Sequence, residues 1–143
     1  PNAPMNWQVP EVFSALLDEM IQGRCLAVDL AGFYRLSEAA LANKKYNSRM
    51  LRRKIVHSQA RAELVFGDPQ VAVKIFLEQF DAPSTPLEFI MTQAVLMASY
   101  GELAAAYEHI DRAVSYYSSS AGAEKTFLLT QAAEIRENIR RDL

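Results

Sequence analysis

The feature that most constrains this chain is an internal repeat of 34 residues. Residues 56–80 read VHSQARAELVFGDPQVAVKIFLEQF, and residues 90–114 read IMTQAVLMASYGELAAAYEHIDRAV. The shift places Val56 on Ile90, Gln59 on Gln93 and Ala60 on Ala94. It also places Phe66 on Tyr100, Gly67 on Gly101, Ala72 on Ala106, Phe76 on Ile110 and Phe80 on Val114. A third copy of the first half, LTQAAEI at 129–135, matches MTQAVLM at 91–97. Apolar residues recur at helical spacing on both sides of each glycine, so each copy predicts a helix, a tight turn and a second helix. One such hairpin cannot bury its apolar face alone, so several must stack.

The rest of the chain predicts more helices. The stripe Val12, Phe13, Leu16, Leu17, Met20 and Ile21 is amphipathic, and Gly23 ends it. A second helix is expected over 26–43, with Gly32 marking a close helix crossing. A third is expected from Asn47-Ser48 to Phe66, stopped by Gly67. Asp68-Pro69 reads as N-cap plus first-turn proline, opening a helix to Asp81. Thr85-Pro86-Leu87-Glu88 reads as a capping box opening the next, which ends at Gly101. A sixth helix is expected over 102–117, a loop at Ser118–Gly122, and a seventh helix to the end. The prediction is an all-α chain of about seven helices. Residues 1–9 form a linker with Trp7 as an anchor, and 10–143 form one helical domain. Within that domain 10–45 is a degenerate hairpin, 47–81 and 85–118 are repeats, and 122–143 is a capping helix.

The pattern of Ala60, Gly67, Ala72, Phe76 and of Ala94, Gly101, Ala106, Ile110 resembles the tetratricopeptide repeat family, whose period is also 34. The resemblance covers residues 53–143 and implies antiparallel hairpins stacked into a right-handed α-α superhelix. It departs from the family pattern at Gln59 and Gln93, where Leu is usual, at Glu63, where an aromatic is usual, and at Gln79. It also implies a concave groove lined by the first helix of each hairpin. Lys54, His57, Arg61 and Leu64 would come from one repeat, Glu88, Met91, Val95 and Ala98 from the next, and Leu129, Ala133 and Arg136 from the last helix. Such a groove suits a protein or peptide partner. The paired Lys and Asn of the family's carboxylate clamp are not reproduced.

Residues 23–49, GRCLAVDLAGFYRLSEAALANKKYNSR, are similar to the soluble C-terminal tail of bacterial inner-membrane O-antigen polymerase or ligase-type proteins. Those proteins act in envelope polysaccharide assembly or protein glycosylation. The opening Pro1-Asn2-Ala3-Pro4, without Met, is what a segment of a longer protein would show.

Arg49, Arg53, His57 and Arg61 stand four apart on one helix, thickened by Lys44, Lys45, Arg52 and Lys54. This basic stripe is a candidate site for an acidic peptide, a carboxylate, a phosphate-bearing ligand or nucleic acid. The bland alternative is a solvated face answered by Asp29, Glu38 or Glu88. The net charge of −2 argues against nucleic acid. The candidate partner-binding residues are therefore Arg49, Arg53, Lys54, His57, Arg61, Glu88, Met91 and Val95.

No catalytic residue, metal ligand or cofactor is expected. His57 and His109 lie in no metal-ligand motif. Cys25, the sole cysteine, has no base that spacing could supply. No Gly-rich phosphate loop or paired-carboxylate signature occurs. No apolar run reaches the ~20 residues that span a bilayer. A soluble domain is expected, cytoplasmic or periplasmic, and Tyr116 and Tyr117 could form a homodimer patch.

Overall fold

The computed structural model describes residues 3–46, 48–81, 84–120 and 126–143. Among them the fold is all-α, with seven helices and no strand. The helices are α1 (Ala3–Ile21), α2 (Leu30–Ala42), α3 (Arg49–Phe66), α4 (Pro69–Glu78), α5 (Leu87–Ser99), α6 (Leu103–Ser120) and α7 (Thr126–Asp142), with a single 3-10 turn at Lys44–Tyr46. The chain forms two compact units, residues 1–75 and 76–143.

In the first unit α3 packs on α1 and on α2. Phe13, Leu17, Met20, Phe33, Ile55 and Ala62 make the core. The Phe13 and Phe33 rings meet edge to face, 5.9 Å between centroids. In the second unit α5 packs on α6, α6 on α7, and α5 on α7. Ile90, Ala94, Met97, Ala106, Ile110 and Ala132 are fully buried there. The small residues of the repeat, Ala60, Ala72, Ala94 and Ala106, are all buried completely. The unit boundary falls inside α4, and so inside the first copy of the repeat. The extensive α5/α6 pairing has no counterpart of similar extent between α3 and α4.

Several expectations need correction. Helix α1 reaches back to Ala3, across most of the stretch expected as linker. Pro4 sits in its first turn, where a missing N–H is harmless, while Pro10 forfeits one internal bond. The Trp7 side chain lies outside the described residues, as does the Asn47 expected to help cap α3. Helix α2 starts at Leu30, not at residue 26, because Asp29 is its N-cap and accepts from the Gly32 N–H at 2.8 Å. A Cβ on Gly32 would meet that same carboxylate oxygen at 3.2 Å, so the glycine serves the cap and not a helix crossing.

Thr85 does not cap α5, whose N-cap is Pro86 with no side-chain bond. The Thr85 hydroxyl accepts from the Asp81 N–H at 2.8 Å and stands 3.1 Å from the Gln79 and Asp81 carbonyls. It closes the C-terminal end of α4, whose last carbonyls lack helical partners. The Thr85 carbonyl in turn accepts from Tyr117 Oη. Tyr117 is therefore buried, at 4% exposure, and not part of a surface pair. Tyr116 leans edge-on against Phe80. Ser118 and Ser119, expected as loop, continue α6, and Ser119 Oγ donates back to the Tyr116 carbonyl. Ala82, Pro83, Ala121 and Gly122 of the expected loops lie outside the described residues.

The two aligned glycines act differently. Gly101 has φ +86°, and the Glu102 N–H reaches the Met97 carbonyl while the Gly101 N–H reaches that of Ala98. That is a Schellman close, in the left-handed region. Gly67 has φ −130°, outside the left-handed region. A Cβ there would fall 2.0 Å from Glu63 Oε1 and 2.7 Å from Leu30 Cδ2. Its role is to admit the Glu63 carboxylate, which accepts from Tyr34 Oη at 2.9 Å and from the Asp68 N–H at 3.2 Å. Gly101→Asn should therefore cost less than about 1 kcal/mol, since Asn tolerates that backbone region. Gly67→Asn should lose about 1–3 kcal/mol by displacing the carboxylate from its donors. Equal losses in urea melts would show that the two turns are equivalent after all.

Candidate functional site

The α3 stripe is not one solvent-facing surface. Arg49 and Lys54 are exposed, Arg53 is buried and His57 is half-buried. Arg61 donates to Asp18 on α1 at 2.7 Å, an acid the spacing argument did not consider. Burial, with the Arg61 guanidinium beside it, pushes His57 down to about 4, so it is neutral near pH 7. The stripe thus runs into the first unit's own packing toward its C-terminal end. Reversing charge at Arg53 and Arg61 would test folding before it tested binding.

A different set of polar side chains is buried where the repeat departs from the family pattern. Gln59 donates to Ser37 Oγ at 2.9 Å and to Glu38 Oε1 at 3.0 Å. Gln93 donates to Gln79 Oε1 at 2.6 Å, and its own Oε1 lies 2.7 Å from His109 Nε2. Because Gln93 offers an acceptor there, His109 carries its proton on Nε2. His109 Nδ1 is then a buried lone pair with no partner among the described residues. Burial, and secondarily Arg112, pushes His109 down to about 4. These groups specify which helices meet.

The candidate site with a cavity is the groove of the second unit. It has a volume of about 310 Å³ and is lined by Val95, Ala98 and Ser99 of α5, Leu103 of α6, and Ile135, Asn138, Ile139 and Asp142 of α7. Glu88, Met91 and Val95 fall on one stripe of α5 by their spacing. Val95 lies in the groove, 46% exposed; Met91 is half-buried and Glu88 exposed outside its lining. On α7 the lining is not the expected Leu129, Ala133 and Arg136. Arg136 turns to Asp111 on α6 at 3.0 Å. Ile135 and Ile139 line the groove instead, although their spacing with Leu128 and Ala132 reads as core. Leu103, just past the turn glycine, carries no signal in the spacing.

A second cleft, of about 420 Å³, lies in the first unit among Met20, Cys25, Leu26, Leu30 and Phe66. Among the described residues no three His, Cys, Asp or Glu side chains gather into a metal-sized group, and no helix is long and apolar enough to cross a membrane. No family model, curated protein or solved structure matches the chain.

Proposed function

We propose that this chain is a non-catalytic protein–protein interaction domain of the helical-repeat type. The observation that carries the reading is the groove of the second unit, where Val95, Ala98, Leu103, Ile135 and Ile139 give an apolar lining with Val95 still 46% exposed. An aliphatic side chain fully removed from water contributes about 1.5–3 kcal/mol, so a partner segment covering this strip gains a central anchor. The 34-residue repeat supports the same reading, because stacked helical hairpins present continuous grooves. The Val95→Arg, Ala98→Glu double variant tests it. Proteins captured by the unaltered chain from its source lysate should fall at least about tenfold with the variant, a loss of about 1.4 kcal/mol. Its melting temperature should not move. Identical capture by both would remove the groove from consideration.

A second reading rests on the resemblance of residues 23–49 to tails of O-antigen polymerase or ligase-type membrane proteins. The domain would then serve its own chain's glycan chemistry. The parent reading frame should carry several upstream apolar spans of about 20 residues each. A parent without them ends this reading.

A further inference from the structure

The third copy of the repeat leaves open a face that the second copy closes. LTQAAEI at 129–135 aligns with MTQAVLM at 91–97, so Leu128 falls on Ile90, Gln131 on Gln93, Ala132 on Ala94 and Ile135 on Met97. The two helices share local detail at this register. Thr92 Oγ1 donates to the Glu88 carbonyl at 3.0 Å, and its counterpart Thr130 donates to that of Thr126 at 2.9 Å. Ala94 and Ala132 are both fully buried.

Beside that alanine the copies differ. On α5, Ile90, Gln93 and Met97 have no exposed surface. Helix α6 packs along α5, and Gln93 Oε1 lies 2.7 Å from His109 Nε2. On α7, Leu128 and Ile135 are only half-buried and Gln131 is exposed. Leu128, Gln131, Ile135, Asn138 and Asp142 follow one another by three or four residues, so they form one stripe of α7. The last three of them line the groove of the second unit. The α7 wall of that groove is thus the face which, one repeat earlier, meets α6.

We infer that the groove takes a partner helix carrying the buried pattern of α6. On α6 that pattern is Ala106, His109, Ile110, Ala113, Val114 and Tyr117, each no more than 4% exposed. The partner is therefore an amphipathic helix with three marks. It has a small residue, a side-chain donor three residues later for Gln131 Oε1, and a large apolar residue beside the donor for Leu128 and Ile135. The donor matters because an apolar side chain laid over Gln131 would bury its amide without a hydrogen bond. Recognition is that of a helix lying in a groove, read at three- and four-residue spacing. The inference rests on the proposed function, since it names the occupant of the same groove.

A synthetic peptide of residues 102–120, the α6 sequence, is the probe. It is titrated into the isotope-labelled chain at neutral pH and followed by NMR. The amides of the α7 stripe should shift and saturate at peptide concentrations below about 1 mM. A peptide carrying His109→Ala should bind about two- to tenfold more weakly, the value of one hydrogen bond. Against a Gln131→Ala chain the two peptides should bind equally, because the histidine has lost its acceptor. Gln131 is exposed, and an unchanged melting temperature confirms that this variant folds. Absent binding overturns the inference, as does binding no tighter than that of the same residues in scrambled order. Shifts confined to helices other than α7 also overturn it, and so does a histidine effect that persists in Gln131→Ala. The groove itself is judged separately, by lysate capture with the Val95→Arg, Ala98→Glu variant. Capture that falls with that variant while the peptide fails keeps the groove and removes only the α6-like helix.

Discussion

Phe33→Ala is expected to destabilise the first unit by about 3–5 kcal/mol, as truncation of a fully buried aromatic does. Phe33 has no exposed surface and meets Phe13 edge to face, with Leu17, Met20 and Ile55 in the same core. The cavity cannot close easily, because α1 and α2 both rest on α3 and would have to shift together. A domain's whole stability is about 5–15 kcal/mol, so this one change consumes much of it. Hydrogen exchange followed residue by residue is the right readout. Amides in the middle of α1, α2 and α3 should lose protection by a factor of at least about 100, equivalent to about 2.8 kcal/mol. Protection within tenfold of the unaltered chain would show that Phe33 is not the centre of this core.

Mild acid should produce a loss of similar size. His57 and His109 are both pushed down to about 4 by burial, from about 6.5 in an unfolded chain. Between those values the unfolded state binds more protons than the folded one, so stability rises with pH. The contribution is complete above about pH 6.5 and is lost progressively as pH falls toward 4. Each histidine accounts for about 3 kcal/mol over that window. His109 is the sharper case. A proton arriving at Nδ1 creates a cation with no hydrogen-bond partner, in a site with no exposed surface and with Arg112 nearby. Urea unfolding at pH 7 and at pH 4.5 should show the loss. His109→Gln should flatten the dependence, because its amide can still donate to Gln93. An unchanged pH dependence in that variant would mean that His109 does not titrate as its burial requires.

Local punctuation was readable without coordinates. Gly23 and Gly101 both end helices in the left-handed region, and Asp68 caps α4 through the Gln70 N–H at 2.9 Å. What could not be read depended on distant partners. The four-residue spacing of Arg49, Arg53, His57 and Arg61 describes one helix face, but not that α1 supplies Asp18 or that Arg53 is buried. Thr85 has every local mark of an N-cap, yet Asp81 behind it and Tyr117, 32 residues away, claim its polar groups. Gln59 and Gln93 stood out as departures from the family pattern. Their partners Ser37, Glu38, Gln79 and His109 lie 14 to 22 residues away, beyond what spacing on one helix can reveal. Val95 and Ala98, which the family resemblance implies for a groove, line the cavity of the second unit, whereas its α7 lining depended on which way that helix turns.

The unit boundary inside α4 bears on anyone who wishes to dissect the chain. The obvious cut falls between α4 and α5, just before Ser84. A fragment begun there would discard Phe76, Gln79 and Phe80, which belong to the second unit. Gln93 would lose its acceptor on Gln79, and Tyr116 the ring it leans against, while Arg112 would lose the face of Phe80 over which it sits. A faithful fragment has to start at the head of α4, at Asp68, and carry a helix whose first seven residues belong to the other unit.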